Sequence, residues 1–297
     1  MSIVDVSVIM AVKNEQEFVE DAILSILDQK GVQAELVVVD DNSNDDTPAI
    51  LSRLARSHQN LRVFSSPKRG VCAAFNYGVS LARGQFVCLF AGDDIMPPDS
   101  LRARWAAVKN CPSSRPVVGL CKLMIISDIQ RYHGRLVPRR RGQGSLSGQS
   151  YLMNQAARDA IFPVPEELAN EDTWMELAVT FFSGWQVVHS DIVGCKWRLH
   201  EGNSINIFLD FDEFNTRYTR LMRALPVFYH LHGAELTDES RSRLHGAIRC
   251  EKQRAEGNIM GVLLSPVGLV PKLRALAQSN KSLYRLRQRF FGLFSGW

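Results

Sequence analysis

The chain has 297 residues, 45% of them apolar and 22% charged, enough for a sizeable core and unlike a disordered or collagen-like composition. The formal charge of +4 is unevenly placed: residues 257–297 hold six bases, Lys272 to Arg289, and no acid, so the rest sums to −2. The basic balance thus belongs to a C-terminal appendage, no nucleic-acid partner is expected, and no apolar run approaches the roughly 18 to 20 residues of a membrane span. At the N-terminus Asp5 stands where a signal peptide would carry bases, and a cytoplasmic protein is expected. Cys72, Cys88, Cys111, Cys121, Cys195 and Cys250 are scattered without a C-x-x-C pair and read as small core residues.

Along the chain, VSVIMAV (6–12) is a continuous apolar run and predicts a buried strand. Residues 18–29 place Phe18, Ile23, Ile26 and Leu27 at helical spacing, and ELVVVDD (35–41) predicts a second buried strand. A helix is expected from Asn44 to Arg56, with Thr47 capping it and Pro48 at its first position. LRVFS (61–65) is a third strand, residues 70–84 a helix ended by Gly84, and QFVCLFA (85–91) a fourth strand. Such alternation points to a doubly wound, mostly parallel α/β sheet, in which ligands bind beyond the carboxyl ends of the strands.

The middle is less regular. Residues 116–127 read as a strand, 135–150 as a basic, Gly/Ser-rich mobile loop, and 170–184 as a helix with Asn170 as N-cap and Glu171 and Asp172 in its first turn. Residues 185–200 suggest one or two strands, and the chain beyond Ile205 looks helical. In the segment 280–294, Leu283, Leu286, Phe290 and Phe294 fall on one side of a helix and Lys281, Arg285 and Arg289 on the other. A basic amphipathic helix of this kind fits a membrane surface or a packed protein partner.

Two acidic pairs, Asp40-Asp41 and Asp93-Asp94, end buried strands of the expected sheet. Each alone would serve as turn chemistry, since Asp tolerates unusual backbone angles and caps helices. Together they converge on one edge, where carboxylates can hold a divalent cation and a diphosphate can bridge to it.

The order and spacing of VSVIMAVKNE, ELVVVDDNSNDDT, RGVCAAFNYGVSLARGQFV, LFAGDDIMPPDSL and NEDTWMELA resemble family-2-type glycosyltransferases of the GT-A fold, strongly over about residues 4–105 and more thinly to about 205. The resemblance implies a Rossmann-like catalytic domain at 1–205, its nucleotide-sugar half about 1–110 and its acceptor half about 111–205, followed by a helical region at 206–297. It implies an inverting transfer of a single sugar from a UDP-, dTDP- or GDP-sugar to a saccharide or lipid-linked acceptor, in surface polysaccharide or glycan assembly. Asp41 would contact the base, flanked by Ala11, Val12 and Glu15. Asp93 would bind Mn2+ or Mg2+, with Asp94 and Arg69 near the donor. Asp172 would be the general base, Arg198 a diphosphate contact and His200 a second metal ligand. A peripheral contact with the inner face of the cytoplasmic membrane through the tail is also expected.

The chain departs from the family pattern at Ala91, where the first acid of the D-x-D element is missing. Absence of a Q-x-x-R-W signature favours single addition over polymerisation. A nucleotidyltransferase and a non-catalytic nucleotide- or glycan-binding relative are the alternatives, the second kept open by Ala91.

Overall fold

The apolar runs of the first third become strands and the periodic segments between them become helices. In order these are β1 (Val6–Val12), α1 (Val19–Leu27), β2 (Ala34–Asp40), α2 (Thr47–Ser57), β3 (Leu61–Ser65), α3 (Val71–Ser80), β4 (Phe86–Ala91) and α4 (Ser100–Val108). The computed structural model describes residues 4–199 and 209–289.

β1 pairs in parallel with β2 and β4, and β2 with β3, so Val12 lies opposite Asp40, Asp40 opposite Ser65 and Ala11 opposite Ala91. Four carboxyl ends therefore reach one edge in register. β2 is buried along nearly its whole length, as expected for a parallel strand covered on both faces. Val8, Met10, Leu36, Val38, Cys88 and Phe90 form the core with Ile23 and Ile26 of α1 and Leu51 and Leu54 of α2. Each such side chain, fully buried, stabilises the fold by about 1.5–3 kcal/mol.

The sheet continues through β5 (Val117–Ile126), β6 (Leu136–Val137) and β7 (Tyr151–Asn154), followed by α5 (Gln155–Ile161). After α6 (Asp172–Phe181) comes β8 (Gln186–Arg198), one long strand running parallel to β5. The order is β3-β2-β1-β4-β7-β5-β6, with β8 on β5 and β7 antiparallel to both neighbours. This is the expected mostly parallel α/β sheet.

Some local expectations give way. Thr47 does not cap α2; its hydroxyl accepts the Glu15 N–H at 2.8 Å and ties the end of β1 to the helix. The N-cap of α6 is Glu171, while the Asn170 side chain accepts from Thr173. The loop at 135–150 is anchored, not loose. Lys122 donates to the Pro138 and Arg140 carbonyls, and the Gly142 N–H donates to Asp191. All six cysteines are free thiols and five are buried.

The chain divides into two compact units, Met1–Glu167 with Gly184–Leu199 and Leu168–Ser183 with His200–Trp297. The second unit thus takes α6 from the middle of the sequence and adds α7 (Phe211–Met222), α8 (Ala224–His232), α9 (Asp238–Ala255), α10 (Ile259–Leu264), α11 (Leu269–Leu276) and α12 (Lys281–Arg289). Trp174 of α6 packs edge-on against Phe228 of α8, with ring centroids 4.9 Å apart. Arg254 of α9 is buried and fully engaged: it pairs with Glu251 and donates to Asn215 and Thr219 of α7 and the Gln278 carbonyl. No described helix is long and apolar enough to cross a membrane.

Candidate functional site

Asp41 follows β2 directly and is held in place by its own backbone, its N–H donating to the Val12 carbonyl at 2.8 Å. One carboxylate oxygen accepts the Gly70 N–H at 3.0 Å and the other faces the Lys13 ammonium at 3.2 Å. Gly70 opens α3 with φ of 115°, a conformation side chains rarely adopt, and no atom lies within 4 Å of where its Cβ would stand. The result is a buried acid beside an open backbone position at the strand edge. Val12 is buried and Ala11 half-buried at the end of β1.

Glu15 stands just beyond β1. Burial first, then the charges of Asp93 and Asp45, push its carboxyl up to about 7. The end of β4 passes close because Gly92 lacks a side chain; a Cβ there would meet Val12 Cγ1 at 2.7 Å and Glu15 Cγ at 3.3 Å. Close approach of this kind brings the Glu15 and Asp93 carboxyls within electrostatic reach.

The Asp93-Asp94 pair splits by direction. Asp93 is half-buried at the edge. Asp94 is fully buried and faces inward, where its carboxyl accepts from the Gln149 side chain, from the Arg198 N–H at 2.7 Å and from the Cys195 thiol at 3.5 Å. Burial, followed by the Asp93 charge, holds Asp94 well above the usual carboxylate range. Asp94, expected near the donor, is thus fully buried and engaged by groups of the turn and of β8. Arg198 supports the same turn: its Nε donates to the Asp93 carbonyl at 2.9 Å, and its guanidinium lies 4.8 Å from the Phe18 ring centre. A deeper layer holds Gln149, since Arg104 of α4 donates to the Gln149, Ser150 and Tyr151 carbonyls. Sequence reasoning missed Gln149, Cys195, Phe18 and Arg104, none of which carries a local signal.

Arg69 is exposed beside Gly70, and its neighbour Lys68 pairs with Glu166 at 2.7 Å. Ala91, half-buried, ends β4 where an acid was expected. His200 lies outside the described residues, as do Phe290 and Phe294 of the tail. In the second unit Glu171 is buried and hydrogen-bonded to half-buried Asp172; burial, then the Asp172 charge, raises the Glu171 carboxyl well above its ordinary value.

Among the described residues no three or more His, Cys, Asp or Glu side chains form a metal cage. The strand edge offers Asp93 with the Glu15 carboxyl close by. Two carboxylates suit a Mg2+-like cation that completes its shell with phosphate oxygens and water.

Residues 7–114 match the model described as glycosyl transferase family 2, which bears out the resemblance read from the motifs. The succinoglycan biosynthesis protein ExoO of Rhizobium meliloti (strain 1021) is 38% identical over 98 residues, covering 33% of this chain and 28% of that protein. The chain therefore matches well under half of ExoO's length. Staphylococcus aureus TarS 1–349, solved in complex with UDP-GlcNAc, superposes with a TM-score of 0.61 at 20% identity, covering 95% of this chain and 83% of that one. The mannosyltransferase PcManGT of Pyrobaculum calidifontis, solved with GDP-Man and Mn2+, gives 0.56 at 18% identity over 99% of this chain and 84% of that one. The fold is GT-A, with helices at its C-terminus.

Proposed function

From a GT-A fold whose residues 7–114 match glycosyl transferase family 2, we propose that this protein is an inverting glycosyltransferase. It moves one sugar from a nucleotide-sugar donor to a hydroxyl of a saccharide or lipid-linked saccharide in surface polysaccharide or glycan assembly. The observation that carries the reading is the register of β1, β2 and β4, which brings Asp41, Glu15 and Asp93 to one edge of the sheet. The complexes of TarS with UDP-GlcNAc and PcManGT with GDP-Man support a nucleotide-sugar donor, and the Mn2+ of the latter supports a divalent cation. The kinship with ExoO supports the place in polysaccharide assembly.

In this reading residues 1–205 are catalytic, and Asp41 with Ala11 and Val12 receives the nucleoside. Its carboxylate is preset by Gly70 and Lys13, so little ordering cost falls on binding. Arg69 lies beside the open Gly70 position and faces the donor's phosphates. Asp93, with Glu15 and His200, would hold Mn2+ or Mg2+, which when bound stabilises charge developing on the diphosphate leaving group. Arg198 and Asp94 keep the Asp93 turn rigid from behind. Asp172 takes the proton of the acceptor hydroxyl, with buried Glu171 hydrogen-bonded beside it. A single displacement of this kind inverts the anomeric centre.

The test is donor turnover with nucleotide sugars and Mn2+ or Mg2+. Cation-dependent release of nucleoside diphosphate is the expected result. Release of pyrophosphate would indicate a nucleotidyltransferase. Tight nucleotide binding without turnover would indicate the non-catalytic relative that Ala91 keeps open.

A further inference from the structure

The turn that carries Asp93 is held from two sides. On the first, β8 holds it through the backbone: Ile95 and Lys196 exchange N–H to carbonyl bonds of 3.1 and 2.8 Å, and Arg198 Nε reaches the Asp93 carbonyl. On the second, a side chain makes the link. Gln149 lies in the 3-10 turn Gly148–Ser150 that leads into β7. Its amide nitrogen donates to the Asp94 carboxyl, and its amide oxygen accepts the Cys195 thiol at 3.2 Å. Nitrogen toward an acceptor and oxygen toward a donor is the one orientation of the amide that satisfies both neighbours.

The 3-10 turn has anchors of its own. The Ser145 N–H donates to the Cys121 carbonyl of β5, and the Ser150 N–H and hydroxyl bond back to the Ser147 and Ser145 carbonyls. Arg104 of α4 adds the strongest of them, donating through Nη2 to the Gln149, Ser150 and Tyr151 carbonyls at 3.1 to 3.2 Å. It can pass because β8 is bare at Gly194, where a Cβ would run into Cys121 Sγ and stand 3.1 Å from Arg104 Cδ. Arg104 is 3% exposed. Among the described residues no acid pairs with it, and its Nε and Nη1 have no hydrogen-bond partner. A guanidinium buried without an acid costs stability, and an aliphatic residue of similar volume would pack α4 at less cost. What the charge provides here is a set of charge-assisted bonds that fix the backbone from which Gln149 reaches out. Packing alone does not require that, whereas a carboxyl held in one direction does.

We propose that Gln149 and Arg104 are positioning residues for the strand edge: they clamp Asp94 and, through the Asp93-Asp94 turn, set the direction of the Asp93 carboxyl. The assignment rests on the glycosyltransferase reading for its cation, and on these hydrogen bonds for its mechanics. Groups that orient a metal ligand from behind change metal affinity by about 10–100-fold when lost.

The test uses full-length variants and two readings. Gln149→Leu removes both bonds at similar volume. The pair Asp94→Asn/Gln149→Glu lets acid and amide trade places and keeps the bond between them. Arg104→Lys keeps the charge and loses the guanidinium. The first reading is the Mn2+ concentration that gives half-maximal binding of UDP or GDP, by calorimetry. The second is amide hydrogen exchange in peptides spanning residues 92–99 and 194–199, with neither nucleotide nor metal added. Gln149→Leu is expected to raise the Mn2+ requirement about tenfold. It should also speed exchange in both peptides by about tenfold while β2 stays as in wild type. Arg104→Lys should move both readings in the same direction by less, and the exchanged pair should stay within about twofold of wild type. Unchanged exchange in Gln149→Leu overturns the clamp, as does an exchanged pair that is impaired as much as Gln149→Leu. Faster exchange with an unchanged Mn2+ requirement overturns the link to the cation. If Gln149→Leu speeds exchange in β2 as well, its fold is lost, and the exchanged pair and Arg104→Lys decide by the same readings. Wild type that binds neither nucleotide with Mn2+ overturns the glycosyltransferase reading instead, and hydrogen exchange still decides the clamp.

Discussion

Two pairs of sequence-adjacent acids, Asp93-Asp94 after β4 in the first unit and Glu171-Asp172 at the start of α6 in the second, are built alike and supported differently. In each, one carboxyl is buried with its pKa raised and the other is half-buried. At the strand end it is the second acid that turns inward, and it meets Gln149, Cys195 and the Arg198 N–H. At the helix start it is the first, and its partner is the adjacent acid itself. Adjacent residues on a turn point in different directions, so a pair of like charges becomes one internal prop and one outward group. The strand-end prop draws on residues far along the chain, whereas at the helix start one acid bonds to the other. The first is therefore expected to govern rigidity of the edge and the second to govern protonation of its neighbour.

The largest expected effect that would break this contrast is at the outward acid of α6. Asp172→Asn should lower transfer by about 10²–10⁴-fold with donor affinity unchanged, measured as diphosphate release against calorimetric donor binding. Normal transfer by that variant would remove the general-base role. Next, Asp93→Asn should weaken cation-dependent donor binding by at least the roughly 10–100-fold seen when a group orienting a metal ligand is lost. A titration of donor at fixed Mn2+ reads it.

The internal prop is tested by stability. Asp94→Ala leaves the Gln149 amide and Arg198 N–H without an acceptor and should cost about 2–3 kcal/mol in denaturant unfolding, with Asp94→Asn costing less. Because burial raises Asp94 and Glu171 above their ordinary values of 3.8 and 4.5, the native state binds these protons more tightly than the unfolded chain, and both groups make stability fall as pH rises above those values. Asp94→Asn and Glu171→Gln should each flatten that fall.

The smallest effect is at Glu15, whose carboxyl titrates near 7 in the folded protein against an ordinary 4.5. Its contribution to stability declines from pH 4.5 to about 7. Glu15→Gln should match wild type below that window. Above it the variant should be more stable by about 1–2 kcal/mol, solvent screening part of the full shift. Melting curves across pH without added metal check the sign.

Much of this was legible in the residues. Continuous apolar runs separated by helical periods give the parallel sheet, because burial on both faces demands that pattern. The place of Asp41 and Asp93 at strand ends follows from the same runs, as each strand stops where its apolar run stops. Thr47 was misread because a hydroxyl at a helix start satisfies the local capping pattern equally well, whereas the Glu15 N–H it accepts lies 32 residues away. Likewise the loop at 135–150 looked free because its anchors, Lys122 and Asp191, lie on β5 and β8.

By itself the sequence determined which chemistry is available and which local segments carry it: acids at strand ends, a Gly-opened helix, a basic C-terminal region without acids. Tertiary structure alone decided which acids stay hydrated and which are buried, since Asp94 meets Gln149 across 55 residues and Arg198 across 104. It also decided that Tyr284 of α12 turns inward while Leu264 and Leu269 stay exposed. Burial and desolvation belong to the packed assembly of distant segments, and no local pattern of residues encodes them.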